Sequence, residues 1–95
     1  MWVVYILYSA KLDKYYIGRT ENLGLRLQYH NNPIESRKFN ARGIPWELRL
    51  SIPCQNKEQS IRLEKFIKRM KSRKFIESLL TNGILVQELI QRMST

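Results

Sequence analysis

Tyr16-Ile17-Gly18-Arg19-Thr20-Glu21-Asn22-Leu23-Gly24-Leu25-Arg26-Leu27-Gln28-Tyr29-His30 reads as the end of a strand, a turn and a first helix. The polar pair Glu21-Asn22 breaks the strand near Thr20, just before a helical apolar period begins at Leu23. Leu23 and Leu27 are one helical turn apart and share a face. Arg26 and His30 are also four apart and stack on the neighbouring face. The strand therefore delivers a tyrosine, and the helix delivers a guanidinium and an imidazole. Gly18 at the strand end lets backbone or a phosphate come close.

Outward from that stretch, Trp2 to Tyr8 is an apolar and aromatic run whose length and β-branched content suit a central strand. The polar segment Ser9 to Lys14 joins it to Tyr15-Tyr16-Ile17, a connection short enough to predict an antiparallel hairpin. The first helix is expected from about Asn22 to Asn31, weakened by Gly24 at a cost of about 1 kcal/mol against alanine. A polar loop carrying Arg37, Lys38 and Arg42 follows, from Ile34 to Pro45. Trp46 to Ile52 predicts a third strand, closed by Pro53. Asn56 predicts an N-cap, with Gln59 placed as in a capping box. Leu63, Phe66, Ile67 and Met70 form the apolar stripe of a second helix, and Glu64 lies about 100° round from Leu63 on its flank. Ser72 predicts the cap of a short helix through Leu80, broken at Asn82-Gly83. Residues 83–95 are expected to form an amphipathic helical tail packed on a main domain of residues 1–82.

Order and spacing resemble the GIY-YIG nuclease family. Tyr16-Ile17-Gly18 repeats the second half of the family's name, and Arg26 follows the glycine by eight residues as the family's arginine does. Val3-Val4-Tyr5 matches the first half loosely, keeping the tyrosine and lacking the glycine. Glu64 fits the family's metal-binding glutamate on a later helix. Trp46-Glu47-Leu48 and the basic run Ile67-Lys68-Arg69-Met70-Lys71-Ser72-Arg73-Lys74 are similar to the small stand-alone bacterial members, over roughly residues 1 to 82. One departure is Phe39-Asn40, where those members carry an aromatic followed by threonine. The resemblance implies an α/β (α+β) fold, a small antiparallel three-stranded sheet flanked by helices. It also implies a divalent-metal-dependent endonuclease that hydrolyses DNA phosphodiester bonds.

Its implied site is Tyr5, Tyr16 and Arg26 for catalysis and Glu64 for one Mg²⁺ or Mn²⁺ ion, and His30 joins the catalytic candidates on its own chemistry. Arg19, just after Gly18, stands where repair-type members often carry lysine, and would hold phosphate. The residue types suit the chemistry. A hard cation takes oxygen ligands and keeps waters, so one carboxylate can suffice. Arginine stays charged and its planar fork fits phosphate oxygens. Free tyrosine, with a pKa of about 10, is a poor base unless nearby cations favour the phenolate. An ordinary histidine pKa suits proton transfer, leaving Tyr5, Tyr16 and His30 as candidate bases.

Each residue also has a structural reading. The tyrosines can pack a core, His30 can cap a helix end, and Glu64 with Lys68 can be an i, i+4 ion pair. The ordered set favours the nuclease.

Charge and composition agree. A net charge of +9 on 95 residues favours a polyanionic partner. Lys65, Lys68, Lys71, Arg73 and Lys74 share a segment with Glu64 and are the expected DNA contacts. A solvated helix face and a membrane-surface helix are the duller explanations. No apolar run approaches the roughly 20 residues of a membrane span. The start lacks a secretory pattern, and a lone Cys54 excludes an internal disulfide. Cytoplasmic location and a monomer are the expected states. Two other functions compete: a nucleic-acid-binding module of the same fold without turnover, and an interaction module using the helix from Ile84 to Met93.

Overall fold

A computed structural model describes residues 1–36 and 38–94; Arg37 lies outside the described residues, as do the side chains of Lys38 and Phe39. The elements run β1 (Val3–Ser9), β2 (Lys14–Thr20), α1 (Leu23–His30), α2 (Lys38–Arg42), β3 (Trp46–Pro53), α3 (Lys57–Met70), α4 (Arg73–Thr81) and α5 (Gly83–Met93). The three strands form one antiparallel sheet in the order β2-β1-β3, flanked by helices, the α+β arrangement expected. The most apolar strand is central, and β2, which carries Tyr16 and Gly18, is an edge.

Local chemistry sets most boundaries. Asn22 Oδ1 accepts from Leu25 N at 3.0 Å and starts α1. Asn56 Oδ1 accepts from Gln59 N at 2.8 Å and starts α3. Ser72 Oγ accepts from Phe75 N at 3.1 Å and starts α4. Asn82 ends α4 and caps α5. Each cap satisfies a donor that the first helical turn leaves without a partner. The capping box at α3 is incomplete. Gln59 Oε1 accepts from Gln55 N instead of the Asn56 amide, and its Nε2 donates to Ser94 Oγ at 2.9 Å. Buried Gln59 thus ties α3 to the chain beyond α5.

Period two splits β1 between two cores. Val4 and Ile6 point to the side of α3, α4 and α5, with Ile17, Ile52, Leu63, Ile67, Leu79, Val86 and Leu89. Tyr5 and Leu7 point to the other side, with Trp46 and the partly buried Leu23 and Leu27 of α1. Met70 departs from the expected stripe: the last residue of α3 is 44 % exposed. The expected loop of residues 34–45 contains the one-turn α2. Strand β3 bulges at Arg49, since Ile6 faces Leu50 while Leu7 faces Leu48. The freed Arg49 guanidinium lies 4.5 Å from the Tyr8 ring centroid.

Candidate active site

The cleft forms where two faces of the sheet meet round the free edge of β2. Tyr5 faces Gly18 across the β1–β2 ladder. A Cβ at Gly18 would lie against the Tyr5 hydroxyl and 2.5 Å from its Cζ. Gly18 is needed for this close approach; its φ is not positive. The bare backbone lets the phenol lie across the strand, so residues on opposite faces reach one space. That space is a mostly polar cleft of about 430 Å³, lined by Trp2, Tyr5, Tyr16, Gly18, Arg19, Thr20, Glu21, Arg26 and Glu64.

Both tyrosines come from the α1 side. Tyr16 faces Leu7 in the ladder, two pairs further along, and its ring stacks at 6.3 Å from that of Tyr5. His30, the last residue of α1, is not among the lining residues. It is buried behind the phenols, with its ring 4.6 Å from that of Tyr16. Its Nε2 lies 3.0 Å from Tyr5 Oη, and Asn40 Nδ2 lies 3.3 Å from its Nδ1. An amide NH₂ can only donate, so Nδ1 accepts and the neutral ring carries its proton on Nε2. His30 therefore donates to Tyr5 Oη, which leaves the phenol's own proton for another acceptor.

Burial lowers the His30 pKa and the Arg26 charge lowers it further, so the neutral form is favoured. Burial raises the Tyr5 pKa well above the usual phenol value, and Tyr16 and Glu64 add to that; Arg26 opposes them. Tyr5 is thus a neutral phenol in this state. Asn40 is held in turn, its carbonyl accepting from Trp46 Nε1 at 2.7 Å.

Glu64 arrives from the opposite face. Leu63 and Ile67 anchor α3 on the sheet, and the next residue round from Leu63 comes over the β2 edge. Each of its carboxylate oxygens has a cation: Arg19 Nε at 3.3 Å from Oε1 and Lys68 Nζ at 3.4 Å from Oε2. The Arg19 contact lacks hydrogen-bond alignment. Arg19 Nε is one of two buried side-chain polar atoms without a hydrogen-bond partner among the described residues. Arg26 lines the cleft from the exposed side of α1, its guanidinium 5.4 Å from the Tyr29 ring centroid.

Among the described residues no three His, Cys, Asp or Glu side chains cluster as metal ligands. A half-buried carboxylate in a polar cleft does fit a hard cation that keeps water and takes substrate oxygens. Glu21, a second carboxylate in the cleft, escaped the sequence reading because it looked like a turn residue. Trp2 was missed too. Two-residue periodicity puts it on the Val4 side, where Arg19 lies 5.4 Å and Lys57 5.8 Å from its ring.

The expected DNA-contacting cations separate. Arg19 is in the cleft. Lys68, Lys71 and Arg73 line a second groove further along the β2 edge. Arg73 is already engaged, by Asp13 at 2.6 Å and Glu77 at 3.3 Å. Lys65 and Lys74 are exposed and line neither cleft. No helix among the described residues is long and apolar enough to cross a membrane.

The profile of the GIY-YIG catalytic domain family matches residues 1–76. No curated protein and no solved structure matches the chain. The matched span takes in the whole sheet and α3, hence every residue that lines the cleft, and on that match the chain belongs to the GIY-YIG catalytic domain family.

Proposed function

We propose that this protein is a metal-dependent endonuclease that hydrolyses DNA phosphodiester bonds, with residues 1–82 as the catalytic unit. The observation that carries the reading is one cleft holding Arg26, Glu64 and the two stacked tyrosines, drawn from four separate elements. Hydrolysis needs a water deprotonated, charge on the phosphorane met, and the leaving oxygen stabilised. A Mg²⁺ or Mn²⁺ ion on Glu64 would supply Lewis-acid charge to the phosphate and the leaving oxygen.

The chain's own groups do the rest. Arg26 places a permanent fork on the phosphate oxygens as charge builds. Arg19 and Lys68, which hold Glu64 without substrate, turn to phosphate when it arrives. A tyrosine that has given its own proton to solvent takes one from the water as the water oxygen bonds to phosphorus, and the P–O bond to the leaving strand breaks with its electron pair on the leaving oxygen. Tyr5 enters neutral and held by His30, so it orients the water or phosphate as a donor. Tyr16, half-buried at the cleft wall, is then the better-placed base. His30 positions Tyr5 and does not reach substrate.

A bare domain reads backbone and shape more readily than base edges, so low sequence specificity and a preference for branched DNA are expected. The test is a panel of linear, flapped and branched DNA, with and without Mg²⁺. Wild type should cut only with metal, and Glu64→Ala and Arg26→Ala should each lose about 100-fold or more. Metal-independent cutting that survives both changes overturns the reading. A binding module without turnover is the second reading, favoured by Val3 in place of the motif glycine. Steeply salt-dependent binding with no cutting on any substrate would select it.

A further inference from the structure

The groove beside the cleft has the opposite character. It holds about 420 Å³ and is mainly apolar, with Ile17, Ile67 and Ile76 on its floor and Tyr15 and Tyr16 along its wall. Its rim carries Lys14, Lys68, Lys71 and Arg73 against one carboxylate, Asp13. Its size is at the small end of the range of roughly 300–1,000 Å³ typical of small-ligand sites. Two residues join it to the cleft. Tyr16 lines both, and Lys68 lines the groove while pairing with Glu64 in the cleft. Both spaces follow the same free edge of β2.

We propose that this groove takes one unpaired nucleotide adjoining the phosphate that is cut. An apolar floor and aromatic wall suit the flat face of a base, and cations at the rim suit its phosphate. A base inside a duplex has both faces stacked, so only an unpaired one can lay a face on the floor. The shared Tyr16 and Lys68 put the nucleotide next in line to the scissile phosphate. Arg73, bound by Asp13 and Glu77, stiffens the far wall, where its guanidinium lies 5.4 Å from the Tyr15 ring. Lys71, and Lys68 once it turns from Glu64, are the cations for the phosphate. The inference rests on the nuclease reading for the identity of its ligand.

Its test is binding of the full-length chain, read by fluorescence anisotropy in chelator so that cleavage plays no part. Three probes are compared: a blunt duplex, the duplex with a short single-stranded branch, and the same branch with abasic residues. The natural branch should bind about tenfold tighter than the abasic one. Ile76→Trp, which fills the groove with an apolar side chain, should cut that difference to about twofold or less while leaving blunt-duplex affinity in place. Equal binding of natural and abasic branches overturns the proposal, because rim charge alone would then account for affinity. So does a tenfold preference that survives Ile76→Trp in a protein that still melts cooperatively, and so does failure to bind any probe. Metal-dependent cutting with no base dependence in binding removes the groove's role and keeps the nuclease. Base-dependent binding without cutting does the reverse.

Discussion

One sheet carries two unlike faces. Toward α3, α4 and α5 the packing is aliphatic, centred on Val4, Ile6, Leu63, Ile67 and Leu79. Toward α1 and α2 it is aromatic and polar: Tyr5, Leu7 and Trp46 buried with His30, Asn40 and Ser9. The first face is held by apolar burial, which has no preferred direction. The second is held by directed bonds, His30 to Tyr5, Asn40 to His30, Trp46 Nε1 to the Asn40 carbonyl and Ser9 Oγ to the Gly43 carbonyl. Apolar burial supplies stability. Directed bonds fix where a hydroxyl points, which is what a site for chemistry needs. The cleft lies at the one edge where both faces contribute.

The contrast is tested most strongly by Leu79→Ala. Leu79 is fully buried on the aliphatic face, and its truncation should cost about 3 kcal/mol in chemical denaturation. On the nuclease reading the variant should keep the cutting rate of wild type below its unfolding transition, because Leu79 lies on α4 and not on the helix that carries Glu64. A large rate loss in fully folded protein would show that the faces are not separable.

Gly18→Ala sharpens it from the other side. The new methyl meets the Tyr5 ring at 2.5 Å, so the phenol must move, with a stability cost of about 1–3 kcal/mol. Cutting should fall further than that loss accounts for. Gly24→Ala is the control, since its Cβ meets only Asn22 Oδ1 at 3.7 Å, and it should be tolerated on both measures. Equal effects at the two glycines would end the close-approach account.

The smallest expected effect is in pH. Burial lowers the pKa of His30, so the folded state favours the neutral ring. The stability it contributes is complete above the ordinary histidine pKa of about 6.5 and declines as pH falls through the folded value. Denaturant midpoints should therefore fall from pH 7.5 to pH 5 in wild type and fall less in His30→Gln, which keeps a donor without titrating. An equal decline in both proteins would assign the loss to other groups.

Much of the scaffold was legible because its signals are short-range. The sequence predicts Asn56 and Ser72 as caps and Glu21-Asn22 as a break before a helix, and the cap bonds that Asn22, Asn56 and Ser72 make each span three residues. Three strands and their limits followed from apolar runs and their breakers. Where the reading slipped, the cause was a distant partner. Gln59 was expected to close a capping box, but the chain end beyond α5 holds its amide. His30, a candidate base by its residue type, lies behind the phenols with Tyr5 Oη 3.0 Å from its Nε2 and Asn40 Nδ2 3.3 Å from its Nδ1, partners that only the fold supplies. Asn40 itself looked like a departure in a loop, and its role depends on a ring ten residues back and an indole six residues on.

The order of its residues alone predicts a three-stranded α+β domain, a basic surface and the candidate set Tyr5, Tyr16, Arg26, His30 and Glu64. Periodicity, caps and motif spacing act over a few residues and need no fold to be read. Where Glu64 sits relative to Arg26 is set by contacts far apart in sequence. Leu63 and Ile67 settling on Val4 and Ile6 fix the rotation of α3. The free edge of β2 and the missing side chain at Gly18 then let groups from two faces enter one cleft.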